Sequence, residues 1–301
     1  MPPAAAEPLI WSLANARSVA LDRARVMAIL NVTPDSFSDG GALATPEAAA
    51  DAAERAAADG ADILDLGGES TRPGALPVPA EEQIARVLPA LRAIRARGVA
   101  APISVDTTLA AVAEAALAEG ADAVNDQSAG RDDARMFEVV RRAGAGIVLM
   151  HRLRAPRDDA YSDRHAAPPG YEGGVTAAVV AFLRERTAAA IHTGIAPGRI
   201  ALDPGLGFGK TVEQSAALIA DTRVLVGMGR PVVAGASRKS FLGRLAGIQE
   251  PAARLAPSLA AGVALRLLGA HIVRVHDVRE HRSALQIADA IAAARDGCQD
   301  A

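Results

Sequence analysis

Residues 27–41 read MAILNVTPDSFSDGG, four apolar residues running into Asn31 and then a loop of Thr, Pro, Asp, Ser and Gly around the lone Phe37. A short unbroken apolar run bounded by turn residues is the pattern of a strand buried on both faces. The polar residues fall at its C-terminal end. The same pattern recurs at VMAIL (26–30), DILDL (62–66), PISVD (102–106), DAVND (122–126), GIVLM (146–150), RIALD (199–203), PVVAG (231–235) and HIVRV (271–275). After each comes a polar loop and then an Ala-rich amphipathic segment. Residues 45–59, 80–97, 108–119, 132–143, 175–193, 212–227, 252–268 and 279–295 fit helices, several closed by a Gly in the C-cap position, as at Gly60, Gly98 and Gly120. Strands alternating with helices imply parallel pairing through right-handed crossovers. Eight such units predict an α/β fold of the TIM (β/α)8 barrel type; a doubly wound open sheet is the alternative. Residues 1–25, with Trp11 and no helical period, predict an N-terminal extension packed on the barrel, as a short hairpin over its bottom. Residues 26–297 are expected to form a single barrel domain.

Composition narrows the class. Half of the 301 residues are hydrophobic and 22% are charged, which suits a soluble globular protein with a sizeable core. A net charge of -3 gives no sign of nucleic-acid or membrane partners. Cys298 is the one cysteine, so an internal disulfide is impossible and a reducing compartment fits. The N-terminus has no Lys or Arg before Arg17, unlike a signal peptide. A cytoplasmic location is expected.

Of the 32 Lys and Arg residues only Lys210 and Lys239 are lysine, and Asn occurs only at 15, 31 and 125. Where Arg has replaced Lys so widely, a retained Lys points to a place that a planar guanidinium cannot fill. Both lysines and two of the three Asn fall in or beside the loops after strands. In a barrel those loops build the active site. Asn31, Asp65, Asp106, Asn125 with Asp126, Met150 with His151, Asp203, Ser237 to Lys239, Arg274 and His276 can therefore converge.

The residue types suggest how they divide. Asp106 and Asp203 with Asn125 make an acceptor-rich pocket for a flat ligand that presents a guanidine-like row of N–H donors. Asp106 could instead be a helix N-cap, and Asp203 a turn residue before Pro204. GLGFGKT (205–211) has three residues between Gly205 and Gly209, one too few for a Walker A loop. Its glycines still allow close approach of a flat ligand, with Phe208 as an apolar wall, and Lys210 at a helix start suggests a lesser role. Arg72, Lys239 and Arg274 suit an anion. Asn31 is a neutral oxygen donor that suits Mg²⁺ held mainly by phosphate and water. His spacing gives no zinc site, and no Ser-His-Asp or Cys-His order indicates covalent catalysis.

Taken in order, NVTPDSFSDGG, DLGGESTRPGA, SVDT, AVND, LDPGLGFGK, GASRKSFLG and RVHDV resemble the dihydropteroate synthase family of the folate pathway, over residues 27–278. The resemblance implies a homodimeric TIM barrel using Mg²⁺. It would join 6-hydroxymethyl-7,8-dihydropterin diphosphate to 4-aminobenzoate, release diphosphate, and bind sulfonamide inhibitors. It also implies a pterin pocket of Asp106, Asn125, Asp203 and Lys239 with Met150 as a wall, and Asn31 on the metal. Thr71, Arg72, Arg274 and His276 would hold the diphosphate, with Phe37, Pro73, Phe208 and Ser240 bordering the aminobenzoate. Lys239, Arg274 and His276 would carry the catalysis.

Two segments depart from the family pattern. The loop after the fifth strand, MHRLRAPRDDAYSDRHAAPPGYEGG, is longer and more charged than usual, and NDQSAG replaces a Gly-rich version. Two other readings use the same barrel. A pterin-dependent methyltransferase domain should lack STRPG and SRKSF, which are present, and a catalytically silent pterin-binding paralogue should lose its first two loops, which are kept.

Overall fold

The computed structural model describes residues 9–33 and 45–299. Phe37, expected beside the aminobenzoate, lies outside them, as does most of the polar loop that follows Asn31.

Strands β1 (Ile10–Ser12) and β2 (Ser18–Ala20) form an antiparallel hairpin. Eight parallel strands follow: β3 (Arg25–Asn31), β4 (Ile63–Gly67), β5 (Ile103–Asp106), β6 (Ala123–Asp126), β7 (Gly146–Met150), β8 (Ile200–Asp203), β9 (Val233–Ala234) and β10 (Ile272–Val275). Their order is β8-β7-β6-β5-β4-β3-β10-β9. Between the end strands a single parallel bridge, Leu202 to Val232, closes the ring, with the Leu202 N–H donating to the Pro231 carbonyl at 2.8 Å. The sheet is a (β/α)8 barrel with the eight strands in the expected places.

The helices are α1 (Pro46–Ala58), α2 (Ala80–Ala96), α3 (Ala110–Ala118), α4 (Met136–Ala143), α5 (Val175–His192), α6 (Val212–Ala220), α7 (Thr222–Val226), α8 (Ser240–Ala246), α9 (Leu255–Leu267) and α10 (Val278–Gln299). Local chemistry starts several of them. Thr45 caps α1 by accepting the Ala48 N–H, ahead of Pro46 in the first turn, and Thr211 with Gln214 forms a capping box on α6. Helix α1 buries Ala49, Ala50, Ala53 and Ala56, so one face of small residues meets the sheet. Two details differ from the sequence reading. The helix expected over 212–227 breaks at Asp221, and α8 is an additional short helix that places Ser240 in its first turn.

Alternation along β3 sorts the core. Val26, Ala28 and Leu30 belong to the large core outside the strands, whereas Met27 faces the barrel axis. At the closed end of the axis Met27, Ile63, Ala123, Val148, Ala201, Val233 and Ile272 form a second, smaller core. The hairpin completes it with Trp11, Leu13, Val19 and Leu21. Trp11 is fully buried, and its indole N–H donates to the Arg199 carbonyl at 2.9 Å. Apolar side chains thus fill the axis at one end, and the polar inward positions collect at the other.

Candidate active site

The last inward position on a barrel strand is where polar residues were expected to converge, and they do. Asn31 pairs in register with Gly67, Gly67 with Asp106, and Asp106 with Asn125, so these four form one row across β3 to β6. Gly67 is needed there: a Cβ on it would lie 3.2 Å from Asn31 Oδ1 and 3.5 Å from the Asp106 Cβ. On β7 the register partner of Asn125 is Val148, and Met150 pairs with Asp203 two residues further along β7 and β8.

Burial leaves these groups dependent on one another. Arg274, from β10, donates from Nε to Asp65 at 2.6 Å and from Nη2 to Asp106 at 2.7 Å. Asn125 donates to Asp65 at 2.9 Å and Gln127 to Asp106 at 2.7 Å. Arg274 was expected to face an anion; its guanidinium also reaches inward, because two buried carboxylates on adjacent strands need a paired countercharge. Burial nonetheless raises Asp106 to about 7, against the pull of Arg274, with Asp65 adding repulsion. Asp203 accepts the Gly205 N–H through Oδ1 at 2.7 Å, and burial raises its pKa as well.

Loop 205–209 is held from below by Lys210. This lysine is fully buried, and its ammonium donates to the carbonyls of Gly205 at 2.8 Å, Phe208 at 2.9 Å and His151 at 3.3 Å. His151 Nδ1 lies 3.0 Å from the same nitrogen, and its imidazole is held down to about 2 by burial, Lys210 and Arg131. The ring is therefore neutral and accepts from the ammonium. Burial, then repulsion by Lys239, brings Lys210 itself to about 7. Lys210, read from its position as the lesser of the two lysines, is the internal post of the glycine-rich loop. Gly205, at φ +65°, is compelled, since a Cβ would come within 1.9 Å of the His151 carbonyl oxygen.

Above the row opens a cavity of about 230 Å³. Its lining includes Asn31, Thr71, Arg72, Pro73, Phe208, Lys239, Ser240, Arg274 and His276. Nine sequence-selected residues therefore share one wall. Asp106, Asn125, Met150 and Asp203 are buried beneath it. Lys239 donates to the Leu206 carbonyl and stands 4.5 Å from the Phe208 ring centroid. Burial lowers its pKa to about 8 despite attraction from Asp203. Before it, Arg238 adopts a left-handed φ of +59°, a conformation that costs a non-glycine residue roughly 1–2 kcal/mol. Its N–H bonds to Ser258 Oγ at 2.9 Å and its side chain pairs with Asp277, which together hold the turn.

His276 Nδ1 lies 3.0 Å from Ser237 Oγ. Burial and the guanidiniums of Arg238, Arg274 and Arg72 drive its pKa well below the ordinary value. The ring is therefore neutral where it lines the cavity. Among the described residues no cluster of three or more His, Cys, Asp or Glu could hold a metal ion. Asn31 stands instead as a single amide on the cavity wall, with Oδ1 uncovered by Gly67. One neutral oxygen beside cationic anion-binding groups fits a divalent cation whose other ligands are phosphate and water oxygens.

Sequence reasoning missed Tyr161, Pro251 and Arg254 on the same wall. The one available signal was that Tyr161 lies in the unusually long fifth loop; Arg254 follows from no local pattern.

Residues 27–276 match the family model for pterin binding enzymes. The chain is 42% identical to dihydropteroate synthase of Neisseria meningitidis serogroup C, over 94% of this chain and 97% of that protein. A Xanthomonas albilineans dihydropteroate synthase solved with 4-aminobenzoic acid superposes with a TM-score of 0.85 at 42% identity, covering 94% of this chain and 98% of that one. A Yersinia pestis dihydropteroate synthase in a sulfonamide drug complex gives 0.86 at 35% identity, covering 93% and 98%.

Proposed function

The chain belongs to the dihydropteroate synthase family of pterin-binding barrels, and on that premise we propose how its own residues perform the family's condensation. The protein is a transferase of folate biosynthesis that joins 6-hydroxymethyl-7,8-dihydropterin diphosphate to 4-aminobenzoate and releases diphosphate. Its partners are these small molecules and the sulfonamides that resemble the second of them. The observation that carries the assignment of roles is the cavity itself, where cations and an apolar wall meet and Arg274 of the lining is bonded to Asp106 of the buried row.

The buried row takes the pterin. Asp203, with Oδ1 already bonded to Gly205, offers its other oxygen to the N–H edge of the ring, and Asp106 and Asn125 extend the acceptor surface. Met150 borders the ring and Lys239 supplies a point charge beside it. Arg72, Arg274 and neutral His276 receive the diphosphate with the Thr71 hydroxyl. Asn31 would hold Mg²⁺, which when bound neutralises charge on the departing diphosphate. The arylamine nitrogen of 4-aminobenzoate, bordered by Pro73, Phe208 and Ser240, attacks the methylene carbon. The carbon–oxygen bond breaks with its electron pair leaving on diphosphate, and the amine proton passes to solvent. An arylamine is neutral at pH 7, so no strong base is required. Phe37 is assigned to the same apolar border by the motif alone.

A cytoplasmic homodimer is part of this reading and rests on the family resemblance and the lone Cys298. No helix among the described residues is long and apolar enough to cross a membrane. Sedimentation of the purified chain tests the dimer. The function is tested by diphosphate release, which should require both substrates; release from the pterin diphosphate alone at the same rate would overturn it.

A further inference from the structure

The long loop between β7 and α5 is fastened to both loops that border the second substrate. Its Pro156 carbonyl accepts the Gly74 N–H at 2.8 Å, next to Pro73. Asp159 Oδ2 accepts the Gly209 N–H at 2.7 Å, and Tyr171 donates its hydroxyl to the Gly209 carbonyl at 2.6 Å, next to Phe208. Ser162 is buried against Gly207, where an added Cβ would lie 3.6 Å from its Oγ. Between these fastenings half-buried Tyr161 lines the cavity, with the Arg164 guanidinium 5.2 Å from its ring centroid.

The direction of the second substrate follows from the chemistry. Its amine must face the methylene carbon at the inner, strand-end side of the cavity, so its carboxylate points outward. Tyr161 lines the same cavity from the loop after β7, which is fastened beside Pro73 and Phe208, the residues assigned to border the second substrate. A 4-aminobenzoate ring ends in a carboxylate, whereas an N-substituted sulfonamide continues through its nitrogen into a second ring. We propose that Tyr161 is a specificity-determining residue that limits the length of the second substrate and disfavours N-substituted sulfonamides relative to unsubstituted ones. Two hydrogen bonds to Gly209 and the Arg164 contact hold this part of the loop as a wall. The inference rests on the dihydropteroate synthase reading above.

Calorimetric titration of the full chain, with dihydropterin and Mg²⁺-diphosphate present, tests it with sulfanilamide and the N-heteroaryl compound sulfathiazole. The readout is the ratio of the two dissociation constants, which cancels any effect common to both ligands. Tyr161→Ala should shift the ratio towards sulfathiazole by at least about fivefold, within the range that a pocket gains from a steric change. Tyr161→Phe should keep the parent ratio, since the ring and not the hydroxyl is the barrier. An unchanged ratio in Tyr161→Ala, or a shift towards sulfanilamide, overturns the proposal. If the parent binds neither 4-aminobenzoate nor sulfanilamide, the reading of the site has failed and takes the proposal with it.

Discussion

Arg274, which lines the cavity, is joined to buried Asp106 by a 2.7 Å bond from Nη2 to Oδ2. A pterin that presents N–H donors to Asp106 competes with this guanidinium for the same carboxylate. The ionisation of Asp106 therefore bears on both stability and binding.

Asp106 has its pKa raised by burial from 3.8 to about 7. Between those values the folded chain keeps a proton that the unfolded chain has lost. This group's contribution is therefore fully present below pH 3.8 and is lost as pH rises through about 7. Urea midpoints measured from pH 4 to 8 should show a declining component that Asp106→Asn removes. An identical slope in that variant would mean Asp106 ionises normally.

Asp203→Asn should weaken pterin binding. The amide oxygen can still accept from Gly205, but its NH2 then faces ligand donors. Loss of a charge-assisted bond costs roughly 1.5–3 kcal/mol, about ten- to a hundredfold in affinity. Calorimetry with the pterin alone measures this, and unchanged affinity would rule out the pocket assignment.

The two lysines should separate cleanly. Lys239→Arg keeps the charge but replaces a point with a planar fork, and turnover is expected to fall at least about tenfold. With a pKa lowered to about 8, turnover in the parent should also decline above that pH as the ammonium discharges. Lys210→Met instead strands the carbonyls of Gly205, Phe208 and His151, at about 1–3 kcal/mol for a buried unpaired group. Its melting temperature should drop by about 2–4 °C per kcal/mol, the scaling for larger domains. Equal melting temperatures for parent and Lys210→Met would remove Lys210 from its structural role.

Binding order follows from which elements build each subsite. The acceptor row belongs to strand ends, while Thr71 and Pro73 belong to the loop after β4. Ordering loops costs conformational entropy, which diphosphate and Mg²⁺ offset through Asn31, Thr71 and Arg72. A sulfonamide should bind weakly alone and far more tightly with pterin and Mg²⁺-diphosphate present, and the coupling must be reciprocal. Equal affinity in the two titrations would show that the second subsite is preformed.

What the sequence alone determined is what short-range chemistry controls. Apolar runs of strand length, Ala-rich helical segments and terminal glycines specify eight βα units. Alternation then assigns Asn31, Asp106, Asn125 and Asp203 to one end of the axis. The paired motifs named nine residues that meet on one cavity wall. Only the tertiary structure decided their partners. Asp65 and Arg274 are 209 residues apart in the chain, and no local pattern says that one guanidinium will serve two carboxylates. Lys210 looked like a helix-start cation because its burial depends on three carbonyls brought around it by two different loops. Tyr161 reached the wall because its loop is fastened to Gly74 and Gly209. Periodicity and turn chemistry act between neighbours in sequence, whereas ion pairing and burial depend on neighbours in space, which exist only once the barrel has closed.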